Sequence, residues 1–405
     1  MRFLLFFIAF YCSLITFSQK PYSVQMAESQ ARNLFSSEWN SSSGMLAYSI
    51  AALAEQYPEE KSLYEVAKSY IDSLILESGE IKNFQKGKLE QILPGKAILK
   101  FWENENTENK EKYKKCSDWL HSYLVMSYPR IKKNIAKTGF LHEEFYPNQM
   151  WLEDLYASSA FYAQWQEKFD SGNRAAWSDI AVQFLLFQKQ AYNDIMQLTY
   201  PYWSADPQDI NSFWAVKKGI YSGTAQLFTS LSTGYLFAAL IETMEAMPND
   251  MAGYNQLKTY LNQIAEGVIA WQDEASGCWY QLINYDSSKT GECGSANYLE
   301  STSSSLLTYG LLKGVRTGLL DADKYKSKAE KAYNGLISTF ISEKDGNLTL
   351  KDATGNIGVG NSSSMDKDGT IEYYLCSPDA IKHDNDIKAI SAFILASLEY
   401  ERINK

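Results

Sequence analysis

One feature constrains the fold of this chain more than any other: a helical unit that recurs along most of its length. A small residue opens an apolar helix, a loop holding acids or proline follows, and a second helix rich in Tyr, Lys and Ala returns. GMLAYSIAALAEQYPEEKSLYEVAKSYIDSL (44–74) is the first clear copy, and GKAILKFWENENTENKEKYKKCSDWLHSYL (95–124) repeats it. Further copies begin at 154, 234 and 303, and ISAFILASLEYERI (390–403) supplies the first half of another. In each first helix the apolar residues recur at i, i+3, i+4 and i+7, the helical rather than the strand period. The second helices carry more charge, which suits an outer layer with one wet face.

Units of this kind cannot bury their apolar faces alone, so they stack or close on themselves. Their starts are 51, 59, 80, 69 and 87 residues apart, far from the roughly 34-residue period of tetratricopeptide solenoids. Six first helices in long, unequal units predict an all-α fold, a closed (α/α)6 barrel spanning residues 19–405 as one domain. The intervening residues then become loops on one rim, where a cleft belongs.

Composition narrows the partners. With 45% hydrophobic and 21% charged residues, the chain can build a large core and is not a disordered one. A formal net charge of −10 leaves no basic footprint for nucleic acid or for an anionic membrane surface. The opening MRFLLFFIAFYCSLITFSQK reads as a secretory signal over residues 1–18: Arg2, then an apolar run, then a cleavage point at Ser18–Gln19. The run is short for a membrane span of about 20 residues, and a periplasmic or secreted protein is expected. Four cysteines follow, Cys116, Cys278, Cys293 and Cys376, with no CxxC pair. Cys278 and Cys293 flank a polar loop and are the candidate disulfide, with buried free thiols as the alternative. No phosphate loop, metal-ligand cluster or Ser–His–Asp pattern occurs, so neither a metal nor another cofactor is implied.

The loops carry aromatics and acids together, as in GFLHEEFYPNQMWLED, LTYPYWSADPQDINSFW and MDKDGTIEYYLCSPD. Flat rings stack on the C–H faces of sugars while acids handle protons and hydroxyls, so the rim is read as an oligosaccharide site.

Six motifs in order, LEQILPGKAIL (89–99), FYPNQMWLEDLY (145–156), GYLFAALIETMEAMPND (234–250), QDEASGCWYQ (272–281), NYLESTSSSLLTYGLLKGVRTGLLD (297–321) and DGTIEYYLCSP with NDIKAISAFILAS (385–397), resemble the unsaturated rhamnogalacturonyl hydrolases of glycoside hydrolase family 105, with family 88 as a close relative. The resemblance implies the (α/α)6 barrel again. It also implies a reaction on lyase-generated oligosaccharides: protonation of C4 and hydration of C5 of a terminal 4,5-unsaturated uronic acid, which releases the neighbouring sugar.

On the family pattern Trp-x-Asp-x-Leu-aromatic, the acid/base maps onto Glu153, in the run Trp151 to Tyr156, and the second acid onto Glu90. The upstream family histidine maps onto His142. Asp154 is left to support Glu153 or to cap the helix. This sequence departs from the pattern where both acids are Glu rather than Asp. It departs again at FTSLSTGY (228–235), where Thr229, Leu231 and Tyr235 replace Trp, Arg and Trp. Lys217, Lys218 and Arg316 are the candidates to replace the missing guanidinium. Trp151, Trp214, Trp279 and Tyr373 are expected as stacking surfaces by loop position, and Asn148 and Gln149 as partners of sugar hydroxyls. Glu300, in NYLES, is a third candidate carboxylate, read first as a helix-to-loop hydrogen bond. Two other readings stay open: an ordinary glycosidase using Glu153 and Glu90, and a carbohydrate-binding barrel whose catalytic set has decayed.

Overall fold

A computed structural model describes residues 20–106, 109–131, 139–355 and 357–405; the expected signal segment 1–18 lies outside the described residues. Helix α1 (Tyr22–Gln30) comes first, followed by α2 (Ser41–Gln56) and α3 (Lys61–Leu74). The pattern repeats with α4 (Gly95–Asn104) and α5 (Asn109–Ser122). The third unit opens on a compound helix: α6 (Leu152–Asp154), a π-helical turn (Leu155–Ser159) and α7 (Ala160–Phe169), with α8 (Arg174–Ala191) returning. Then come α9 (Ser230–Ala246) and α10 (Tyr254–Ala270), α11 (Ser301–Arg316) and α12 (Ala322–Phe340). A short α13 (Ile371–Cys376) precedes α14 (Ile387–Ile403).

The first helix of each unit lies inside. Helix α2 packs on α4, α4 on α7, α7 on α9, α9 on α11, α11 on α14, and α14 back on α2. The ring is closed, as the (α/α)6 reading predicts. Burial follows position: α9 and α11 are buried on nearly every side, whereas α3 and α12 bury one face and expose their charges. The half unit at the end of the sequence has a partner after all. Helix α1 packs against α14 as its outer helix, and Ser23 donates through both its backbone N–H and its Oγ to Glu401 (3.1 and 2.7 Å).

Small residues set the close contacts. A Cβ on Gly44 would stand 2.4 Å from the Pro94 ring, and one on Gly310 would stand 2.4 Å from the Phe237 ring. Inside the ring one ion pair is fully enclosed: Lys96 Nζ lies 2.6 Å from Glu242 Oε2, each side chain 1% exposed. Tyr309 donates to Glu242 (2.9 Å), and the ammonium sits over the rings of Tyr48 and Tyr156. Burial pulls Lys96 down to about 8, while the Glu242 carboxylate opposes that fall.

The cysteine pairing differs from expectation. Cys293 bonds to Cys376, 83 residues away, joining a surface loop to the end of α13. Cys278 is a buried free thiol, packed where Gly335 of α12 leaves room for its sulfur. It faces the core rather than the loop that Cys293 occupies. No helix among the described residues is long and apolar enough to cross a membrane.

Candidate active site

The inner helices all begin at the same end of the barrel, so their N-terminal partial charges converge on one rim. A cavity of about 130 Å³ opens there, between the starts of α2, α6, α9 and α14. A second, of about 340 Å³, shares Ser41, Glu90, Leu231 and Lys388 with the first.

A short strand aims the central acid. Gln149–Trp151 pairs antiparallel with Tyr202–Ser204, and Leu152 N donates to Pro201 O (3.0 Å). The chain then turns directly into α6, which puts Glu153 in a first helical turn facing the cavity. Ser232 Oγ, at the start of α9, donates to Glu153 Oε1 (2.5 Å). The other oxygen, Oε2, is buried without a hydrogen-bond partner. Burial raises the Glu153 carboxyl to about 7, against the lowering effect of the Ser232 hydrogen bond. A carboxyl so poised holds and releases a proton near neutrality. The π-helical turn that follows is a distortion often found at functional sites.

Beside Glu153 stands a locked aromatic wall. The His142 ring stacks on the Trp151 indole, with centroids 3.6 Å apart and planes within 5°. His142 Nδ1 lies 3.0 Å from Asp154 Oδ2, and Trp151 Nε1 donates to Gln149 Oε1 (3.2 Å). Burial, the largest single effect, lowers the imidazole, but the charge and hydrogen bond of Asp154 together with the nearby Glu143 and Glu153 raise His142 above its ordinary value. Asp154 therefore serves the histidine. Across the cavity, Glu90 Oε2 accepts from Ser41 Oγ (2.9 Å). Among the described residues, no group of three or more His, Cys, Asp or Glu is placed to share a metal ion.

Glu153, Glu90, His142 and Trp151 thus meet in one cavity. Other expected residues do not. Trp279 is wholly buried in the core, its Nε1 donating to Val268 O (2.8 Å). Trp214 is 2% exposed and packs behind the site in a cluster with Tyr202 and Val359, against Trp151. Tyr373 is buried and donates to Gly358 O (2.8 Å). Gln149 spends its side chain on Trp151 and, through Nε2, on Asn211 O (2.7 Å). Asn148 supplies a left-handed bend (φ 59°) before the strand and is not a cavity-lining residue. Loop position alone does not tell an inward ring from an outward one.

Glu300 is buried at the N-cap of α11, accepting from Thr302, Ser303 and Thr354 N–H groups, which is the helix-to-loop role. The three candidate replacement cations lie elsewhere. Lys217 donates to Pro207 O and Ser212 O, Lys218 is exposed and does not line the cleft, and Arg316 pairs with Glu399 at the other end of the barrel. Ser41, Ser232 and Lys388 were not singled out in the sequence. Ser232 directly follows Leu231 in FTSLSTGY, where a signal was available.

The family model described as Glycosyl Hydrolase Family 88 matches residues 19–404. A glycoside hydrolase from family 105 of C. acetobutylicum ATCC 824 is 30% identical and superposes with a TM-score of 0.83, covering 95% of this chain and 100% of that one. The unsaturated glucuronyl hydrolase of Bacillus sp. GL1, responsible for the degradation of glycosaminoglycan, shares the fold at 14% identity. Its TM-score is 0.67, with 94% of this chain and 96% of that chain covered. A 24.9 kDa protein in the picA locus of Rhizobium radiobacter is 28% identical over 182 residues, 44% of this chain and 73% of its own.

Proposed function

Because this chain belongs to glycosyl hydrolase family 88, we propose that it removes a terminal 4,5-unsaturated uronic acid from lyase-generated oligosaccharides. It is a glycoside hydrolase of the unsaturated uronyl hydrolase family. The observation that carries the proposal is Glu153: half-buried at the cavity, one oxygen fixed by Ser232, the other unpartnered, and its carboxyl raised to about 7.

In this reading the protonated Glu153 donates to C4 of the vinyl ether. Positive charge develops at C5 and the ring oxygen, and water adds to C5. The carboxylate left on Glu153 takes the proton that water loses, so the group returns to its starting state. The hemiketal at C5 then opens and the neighbouring sugar leaves. Because the double bond supplies the reactive centre, the carboxylate spacing of ordinary glycosidases does not apply. His142, held by Asp154, and Trp151 form the wall on which the flat unsaturated ring rests. Glu90, held by Ser41, accepts from ring hydroxyls. Export belongs to the proposal as well, supported by the Cys293–Cys376 bridge, which suits an oxidising compartment.

The test uses wild type and Glu153→Gln on unsaturated disaccharides from pectin, ulvan and chondroitin lyases, following loss of the ultraviolet absorbance of the conjugated double bond. Loss with wild type and none with the variant is expected. Loss with neither, on folded protein, overturns the proposal.

A further inference from the structure

We propose that Lys388 is the residue that binds the substrate's carboxylate, and so sets the preference for a uronide over a neutral sugar. The inference rests on the proposed function and deepens it. A uronate entering this cleft meets Glu90, beside the protonated Glu153 and the Asp154–His142 pair. A cation at the same wall offsets the repulsion between Glu90 and an incoming carboxylate. Leu231 lines that wall where the sequence resemblance expects an arginine, and it carries no charge.

Among the described residues lining the two adjoining cavities, Lys388 is the one Lys or Arg, and it lines both. Its placement is not explained by local structure. It stands in the first turn of α14, whose N-terminus disfavours a cation. Its neighbour Asp386 spends a carboxylate oxygen on the N–H groups of Lys388 and Ala389 (2.8 and 3.2 Å). The Lys388 ammonium forms no ion pair with any described residue, whereas Lys96, Lys100, Lys168 and Lys313 all do. A partly buried lysine, unpaired and set against a helix dipole, faces the cavity that holds Glu153. The remaining basic group of that cavity, His142, is already engaged by Asp154. An ammonium there, with the converging helix N-termini, gives an incoming carboxylate its direct partner.

The experiment measures binding and turnover separately. Sodium glucuronate and its neutral methyl ester are titrated calorimetrically into wild type, Lys388→Met and Lys388→Arg. The expected result is roughly 10- to 100-fold weaker glucuronate binding in Lys388→Met, the loss of one charge-assisted hydrogen bond. Ester binding is expected to be unchanged, and Lys388→Arg to retain most of the affinity. Equal weakening toward acid and ester, or none toward either, overturns the proposal. In the turnover arm, Lys388→Met is expected to raise KM for the unsaturated disaccharide that wild type cleaves best, with kcat changed far less. If wild type cleaves none of them while glucuronate binding still depends on Lys388, the hydrolase proposal falls and the carboxylate site stands.

Discussion

A glutamic acid whose proton is held by burial has two measurable signatures at Glu153, one in rate and one in stability. Because the protonated form donates to C4, kcat is expected to fall as pH rises through about 7, and the pH–rate profile checks this. Replacing the group by Gln removes a general acid and is expected to cost roughly 10²- to 10⁴-fold in rate. Stability moves the other way. A carboxyl raised in the folded state contributes stability that is complete below its unfolded value and lost as pH rises through about 7. Glu153→Gln is therefore expected to gain melting temperature over wild type above pH about 7, and to gain little near pH 4, in parallel thermal melts. The residue scale is also where the sequence was hardest to read. That Glu153, Glu90 and His142 share one cavity was legible because each falls on a position of the family motifs. Lys388 was not, because a lysine in a helical first turn looks like any surface lysine until the cleft beside it is known. Trp279 and Trp214 misled for the converse reason: an aromatic residue in a polar loop is as easily a core plug as a sugar platform.

At the scale of elements, a chain of contacts links the disulfide to the aromatic wall. Cys376 ends α13, Tyr373 of the same helix donates to Gly358 O, and a Cβ on Gly358 would stand 2.9 Å from Trp151. Cutting the bridge is expected to loosen that backing as well as the fold. Cys376→Ser should lower stability by about 2–4 kcal/mol and raise KM, both reproduced in wild type by dithiothreitol. A lower melting temperature with unchanged KM would show that α13 does not support the wall. The inner helices themselves were legible: the six starts read from small residues and apolar period fall within about four residues of the observed ones. Helix α1 was not, since nine residues with little amphipathic contrast mean nothing until α14 is there to receive them. The Cys293–Cys376 pairing was equally hidden, because separation along the chain does not measure distance across a ring.

The whole molecule has two unlike ends. At one, helix N-termini surround carboxyl groups and an unpaired lysine. At the other, a cavity of about 370 Å³ is lined by paired charges such as Arg316–Glu399 and Lys313–Glu245, above the buried Lys96–Glu242 pair. That inner pair is a fixture of the barrel rather than of the chemistry. Lys96→Met is expected to destabilise by about 3–5 kcal/mol, because it leaves Glu242 buried without its cation. Adding Glu242→Gln should recover most of the loss, and urea unfolding of the single and double variants checks the coupling. Additive losses would mean the two side chains act independently.

The closure of the ring by α14, with α1 as its outer helix, has a consequence for how the protein is made. Residues 22–30 are synthesised well before their partner, residues 387–403. Until α14 is present, α2 and α11 each lack the neighbour that packs between them in the closed ring. Transiently exposed apolar surface of that kind is what makes a partly folded chain prone to aggregate. A messenger truncated before residue 387 would yield an open, adhesive arc instead of a slightly smaller enzyme.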